Sequence, residues 1–286
     1  MKKQLICLVM IAAMLLSLAA CGKKTETAGT DDVSPTASND VAATDNSLQY
    51  IQDRGKFILG LDDAFPPMGF RDDNNNIVGF DIDLAQAVCD KLGWELVLQP
   101  VKWEAKEQEL ATKNIDCLWN GFSITPDRLT NMTMSEPYME NKIALVVPKD
   151  SSIKSMADMA GKKLAVQGGS SAAEALDMDE NKAFKASIGE TNEFADYVTA
   201  LMDMETGHSD AVLMDSVVAN YMITEAGKDF AVLDDSLVSE EYAIGFRQGD
   251  EALCTAIEGA LKDLKADGTV ADISTKWFGS DITTIK

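Results

Sequence analysis

Apolar positions along the body of the chain fall into two alternating patterns. Phe57-Ile-Leu-Gly-Leu61 is a short, nearly continuous apolar run bounded by polar residues, which predicts a buried strand. From 81 to 92 the residues Leu84, Ala85, Val88 and Leu92 recur at helical spacing and Gly93 supplies a stop, so a helix is predicted there. The same reading predicts strands over 95–101, 116–120, 143–147, 163–166, 210–214, 230–233 and 242–246. It predicts helices over 104–113, 193–204, 216–226, 250–266 and 270–277. In the 193–204 segment Phe194, Tyr197, Val198, Leu201 and Met202 form the expected buried face, and Met202, Met204 and Met214 are read as packing. Strands alternating with helices predict an α/β fold of open, mostly parallel, doubly wound sheets covered by helices. The alternating body, about 240 residues, is long for one such sheet, so two lobes are expected.

The N-terminus reads differently. Lys2 and Lys3 precede an apolar run that ends in Leu18-Ala-Ala-Cys21. A charged start, a short apolar run and a small-residue cleavage site are the signature of an export signal over 1–20. The run is shorter than the roughly 20 residues of a membrane span. The Leu-Ala-Ala-Cys ending resembles the bacterial lipobox, which implies cleavage before Cys21 and a diacylglycerol and acyl (palmitate) anchor on its thiol. Residues 21–45 then combine that cysteine with Gly, Lys, Thr, Ala, Ser, Asp and Asn and read as a flexible tether.

Charge narrows the partners. The 286 residues carry 25 Lys plus Arg against 47 Asp plus Glu, a net charge of −22. Nucleic acid is therefore not expected as a partner, because a polyanion needs an electropositive surface. A surface this acidic also stands off anionic lipid, which suits a tether. The single histidine, His208, excludes a histidine-rich metal site, and no CxxC motif supports a zinc or redox role. No metal or cofactor is expected. Once Cys7 leaves with the leader and Cys21 is acylated, Cys89, Cys117 and Cys254 remain, with apolar neighbours, as buried thiols or as one disulfide of unassigned pairing.

Open α/β sheets bind ligands beyond the carboxyl ends of their strands. Beyond the first strand lie Asp62, Asp63 and Phe65-Pro-Pro67, and beyond the second lies Trp103. Beyond the third lie Asn120-Gly-Phe-Ser123, with Arg128 close behind. Beyond 163–166 lies Gln167-Gly-Gly169-Ser-Ser171, flexible glycines opening a helix, and beyond 210–214 lies Asp215. The turn after Gln167 is no Walker loop, because no Gly-Lys-Ser/Thr follows, although a helix N-terminus with free amides suits an anion. Arginine is the best bidentate holder of a carboxylate. One guanidinium, separated carboxylates, hydroxyls and aromatic walls suit a zwitterion with a side chain.

Six ordered motifs carry a resemblance. They are Gly69-Phe70 with Ile77-Val-Gly-Phe-Asp-Ile-Asp-Leu-Ala85, Asp116-Cys-Leu-Trp-Asn-Gly-Phe-Ser-Ile-Thr-Pro-Asp-Arg128, Ser135-Glu-Pro-Tyr138, Met159-Ala-Gly-Lys162, Gly207-His-Ser-Asp-Ala-Val-Leu-Met-Asp215 and Lys276-Trp-Phe-Gly279. From about residue 48 to 280 the chain resembles the polar amino-acid-binding lipoproteins of ABC importers, family 3 of the extracellular solute-binding proteins. The resemblance implies a type II periplasmic-binding-protein-like fold: lobe 1 over 46–139 plus 240–286, lobe 2 over 140–239, two crossing segments and a ligand cleft between. It implies that Arg128 grips an α-carboxylate with Ser123 and Ser171. It implies that Asp215 takes the α-ammonium near the Gly121 backbone, and that Asp62, Phe65 and Trp103 line the side-chain pocket. Asn120, Gln167 and Gly169 fall at variable pocket positions. The implied partners are a free amino acid, polar neutral or basic because of Asp62, and ABC permease subunits, for a monomer anchored on the extracytoplasmic face of the cell membrane. Two other functions share this fold: a dehydratase-type enzyme, for which no paired catalytic set or GxSxG or HExxH motif is present, and a ligand-sensing module docking on a receptor.

Overall fold

The computed structural model describes residues 44–286. The expected export signal, the expected lipid-bearing Cys21 and nearly all of the expected tether lie outside the described residues.

The first half opens with α1 (Ser47–Arg54), closed by Gly55 in the left-handed region that a C-cap requires. β1 (Lys56–Leu61) follows, then a small antiparallel sheet of β2 (Ala64–Phe65), β3 (Gly69–Arg71) and β4 (Ile77–Val78). α2 (Phe80–Leu92) carries its apolar stripe onto the sheet, burying Leu84, Ala85, Val88 and Cys89, and stops at Gly93. β5 (Glu95–Pro100) lies parallel to β1 in register from Lys56–Glu95 to Leu61–Pro100. A 3-10 turn over Trp103–Ala105 leads into α3 (Lys106–Ala111), and β6 (Cys117–Ser123) returns on the other side of β1. α4 (Pro126–Asn131), capped by the Thr125 hydroxyl on the Arg128 amide, and β7 (Met132–Met134) complete this half.

The chain crosses over on β8 (Met139–Pro148). The second half follows as β9 (Lys163–Gln167), α5 (Ser171–Asp177), α6 (Lys182–Ser187), β10 (Glu190–Phe194), α7 (Tyr197–Glu205), β11 (Ala211–Asp215) and α8 (Ser216–Thr224). β12 (Phe230–Arg247) crosses back, and α9 (Glu251–Ala266) and α10 (Thr269–Phe278) pack onto the first half. The strand order is β10-β9-β11-β8-β12-β6-β1-β5. Neighbours within each half are parallel, whereas β8 and β12 run antiparallel along their length and form the bridge. Register shifts at Val232, Ser236 and Val238 bend β12 where it passes between halves. In the second half both strand faces are covered: Val146, Ala165 and Val212 belong to one core and Leu145, Leu164 and Leu213 to the other. That double burial explains the continuous apolar runs that predicted these strands.

Three expectations change. The helix expected over 193–204 is a strand ending at Phe194 followed by α7. Phe194 pairs with Gln167 in the sheet, and the Asp196 carboxylate caps the new helix on the Thr199 amide at 2.7 Å. The buried face of α7 is Tyr197, Ala200, Leu201 and Met204, so Met202 is 57% exposed and packs nothing. The separate strands expected over 230–233 and 242–246 are the two ends of β12, joined by polar residues that pair with β8 in the crossover. Cys89, Cys117 and Cys254 are buried free thiols.

Candidate functional site

β1, β6, β9 and β11 all point their carboxyl ends at one place, where the bridge strands bring the two halves face to face. Phe65, Trp103, Gly121, Ser123 and Arg128 form one wall, and Gln167, Ser170, Ser171 and Asp215 form the other, around a cavity of about 10 Å³. That is room for about one water, so the walls touch directly. Ser123 Oγ lies 3.1 Å from Ser171 Oγ, Gln167 Nε2 donates to Asp62 Oδ2 at 2.7 Å, and Lys106 Nζ donates to the Gly169 carbonyl at 2.8 Å. A larger groove of about 900 Å³ runs along the β8–β12 bridge, but no guanidinium lines it.

Arg128 is the cationic pole. It sits in the first turn of α4, 2% exposed, with its guanidinium carbon 4.1 Å over the Phe122 ring. Nη1 donates to the Ser123 carbonyl at 2.8 Å and Nη2 to Glu174 Oε1 at 2.9 Å, while Nε has no partner. A buried guanidinium with an unused donor is prepared for a carboxylate fork.

Asp215 is the anionic pole. It occupies the N-cap position of α8, yet its side chain caps nothing there. Its Oδ1 accepts from Asn141 Nδ2 and from the Tyr242 hydroxyl, each at 2.7 Å. Burial pushes its carboxyl above the usual range, against those hydrogen bonds. Glu240, on β12, accepts from Ser171 Oγ at 3.0 Å and is pushed up by burial and by the nearby Asp215.

The remaining expected residues divide. Phe65 packs on Tyr197 and Trp103 meets Phe122 edge-on, so the aromatic walls are in place. Asp62, Asn120 and Gly169 do not line the cavity, contrary to expectation. Asp62 stands one layer behind Gln167, buried, and burial pushes its carboxyl up to about 6. Asn120 Oδ1 accepts the Asp62 amide at 3.0 Å and so fixes that turn. Gly169, at φ 68°, lets the chain pass Glu104: a Cβ there would lie 3.1 Å from the Glu104 Cα. Arg71 pairs with Asp63 at 2.6 Å.

Several groups at the site were not anticipated: Glu174, Asn141, Tyr197, Tyr242 and Glu240. Glu174 had a usable signal, being one turn along α5 from Ser171. The bridge residues had none, because a polar residue in a solvated strand and one turned into a cleft look alike in sequence.

The description "bacterial extracellular solute-binding proteins, family 3" fits residues 57–280. The chain is 30% identical over 243 residues to the L-cystine-binding protein TcyJ of Escherichia coli K12, spanning 84% of this chain and 89% of that protein. A crystal structure of an ABC uptake transporter substrate-binding protein from Streptococcus pneumoniae with bound histidine superposes with a TM-score of 0.81. It is 37% identical and covers 84% of this chain and 99% of its own. The ancestral amino-acid-binding protein AncCDT-1, a precursor of cyclohexadienyl dehydratase, superposes at 0.74 with 32% identity over 81% of this chain and 99% of its own.

Proposed function

The chain belongs to family 3 of the bacterial extracellular solute-binding proteins, and on that premise we propose that it captures a free amino acid outside the cytoplasm for an ABC importer, by closing two lobes over it. The observation that carries this reading is the opposition of Arg128 and Asp215 across one small cavity between the two halves of a bridged, two-lobed type II fold. We place the lobes at 46–139 plus 240–286 and at 140–239, with β8 and β12 as the hinge.

In this reading the α-carboxylate lies on Arg128 with the Ser123 and Ser171 hydroxyls, and the α-ammonium lies on Asp215. The direct contacts between the walls give way to the ligand when the lobes open and close again. Each charge-assisted bond contributes about 1.5–3 kcal/mol. A few of them, with apolar burial against Phe65 and Trp103, reach the roughly 8 kcal/mol of micromolar binding after entropy losses. Only the closed form offers both poles, so ligand shifts the population toward closure.

At the side-chain end Gln167 lines the cavity and Asp62 stands behind it, lending its charge to that end through the Gln167 amide. No Lys or Arg among the described residues pairs with Asp62, and its partners are the Gln167 amide and the Ala64 backbone. A buried carboxylate without a counter-charge favours a ligand side chain that is cationic or donates hydrogen bonds. Polar neutral or basic amino acids, and cystine, fit this rule. A thermal-shift screen of the twenty amino acids plus cystine tests it; a protein stabilised by none of them is not an amino-acid receptor.

The matched relatives are binding proteins, and we read this chain as a binder that does not turn its ligand over. We also propose cleavage before Cys21 and lipid attachment there, tethering the protein to the membrane beside its permease. Incorporation of labelled palmitate that is lost in Cys21→Ala tests the anchor.

A further inference from the structure

We propose that Glu240 is a ligand-binding residue of this site: with Asp215 it forms a two-carboxylate seat for the α-ammonium, and capture of the amino acid expels a proton from that pair. This deepens the amino-acid reading above and rests on it.

The geometry is specific. Glu240 is 8% exposed although it is a glutamate in the bridge strand β12. Its Oε2 accepts from Ser171 Oγ at 3.0 Å and from Asn141 Nδ2 at 3.4 Å, and the same Asn141 nitrogen donates to Asp215 Oδ1 at 2.7 Å. One amide nitrogen thus ties the two carboxyls together. Ser171, which reaches Ser123 at 3.1 Å, links Glu240 to the carboxylate pole as well. Glu240 therefore stands between the two poles.

The charge balance points the same way. Facing Glu240 are Asp215 from β11, Asn141 from β8, Arg128 from α4, Tyr197 from α7, Tyr242 from its own strand, and the serines of β6 and α5. Glu240 itself lines the groove along the outer side of the bridge, with Asn141, Glu140, Lys142 and Glu241, and it reaches the cavity side through the hydrogen bond that it accepts from Ser171. Arg128 is the cation nearest the cavity side, and its Nη2 is engaged by Glu174. No Lys or Arg among the described residues forms an ion pair with Asp215 or Glu240. Arg128 is held by Glu174 and Lys106 lies on the Gly169 carbonyl, so neither cation is left to pair with Asp215 and Glu240. An ammonium, with three N–H donors, supplies that positive charge and has more donors than Asp215 alone can use.

Two buried carboxyls this close do not both ionise cheaply, so one keeps a proton. Burial and the Asp215 carboxyl push Glu240 up to about 7. Near neutral pH the pair therefore holds a proton, which the incoming ammonium displaces to solvent, one N⁺–H···O⁻ contact replacing the O–H. Affinity then rises with pH, about tenfold between pH 6 and 8.

The test is isothermal calorimetry on the full folded chain with L-arginine and L-glutamine, whose side chains do not titrate between pH 6 and 8, and with L-cystine at pH 6 and 7, below the range of its second ammonium. Titrations are run in phosphate and in imidazole, which both buffer around neutrality and differ in ionisation enthalpy, at pH 6, 7 and 8. The amino acid that binds wild type should give buffer-dependent heats showing proton release. Glu240→Gln keeps the hydrogen bond to Ser171, and it should bind about tenfold more weakly at pH 8 and lose both the buffer and the pH dependence. Glu240→Asp should recover part of both. Identical wild-type heats in the two buffers overturn the proposal without any variant. So does Glu240→Gln binding within about twofold of wild type with its proton release intact. If wild type binds none of the three and responds to no amino acid in the thermal-shift screen, the amino-acid reading itself fails, and this proposal with it.

Discussion

Arg128 Nη2 and Glu174 Oε1 sit 2.9 Å apart across the cleft, one on α4 and the other on α5. The pair closes the site with an internal carboxylate on the guanidinium that we assign to the ligand's own carboxylate.

Competition for that guanidinium gives the first prediction. Glu174 is 35% exposed at its side chain, so water takes over its charge readily when Arg128 turns to ligand. Glu174→Gln should tighten amino-acid binding about threefold, because neutral acceptors compete less well than ionised ones. Arg128→Ala should weaken it at least about 100-fold, and Arg128→Lys should fall between, since lysine cannot offer a planar fork. Calorimetry on the three variants checks the order.

Asp62 tests the side-chain end. Asp62→Asn keeps a short polar side chain behind Gln167 but removes the charge. Affinity for arginine should fall about tenfold or more, while affinity for glutamine changes little. A parallel loss for both amino acids would mean that Asp62 positions Gln167 and does not select charge.

Stability should depend on pH from both sides. Burial pushes Asp62 up to about 6 and Asp81 up to about 7, the latter despite its hydrogen bonds from the Gly121 amide and the Tyr138 hydroxyl. Such groups hold their protons more tightly folded than unfolded, so stability is lost as pH rises from about 4 through those values. Hydrogen bonds hold Asp72, Asp158 and Asp267 below the usual range, and the Lys265 ammonium holds Asp281 down at about 2. Their contribution is present above about 4 and is lost as pH falls further. Without ligand the melting temperature should therefore peak near pH about 5. Asp62→Asn should raise it at pH 8 and leave it unchanged at pH 4.

Gly121 carries a backbone requirement. Its φ is 56°, and a Cβ there would lie 2.7 Å from Phe65 Cε1 and 3.2 Å from the Tyr242 ring. Gly121→Ala should cost about 1–2 kcal/mol for the left-handed conformation alone. It should also push Phe65 off the cavity wall and weaken binding. Thermal melts and calorimetry on one sample separate the two effects.

Much of this protein was legible in its residues. The periodicities of α2 and α9 and the apolar runs of β1, β9 and β11 come through because each element buries one stripe or two faces, and that burial is written locally. Phe194 misled for the same reason: an apolar residue three before Tyr197 fits a helix, and only pairing with Gln167 made it a strand. Strand ends and motif order pointed to Ser123, Arg128, Ser171 and Asp215 before folding, and these four lie around one cavity.

Depth and partnership were not so marked. Sequence put Asp62 and Asn120 on the cavity, whereas packing put them one layer behind it, where they brace Gln167 and the turn after β1. Sequence was silent on Glu240, Asn141 and Tyr242, which meet Ser171 and Asp215 only because β8 and β12 lie antiparallel through the bridge. Local pattern decides which face of an element is buried, since that follows from neighbours a few residues away. Which carboxyl shares its proton, and with whom, depends on groups up to 99 residues apart in the chain, such as Asn141 and Glu240, and tertiary structure alone brings them together.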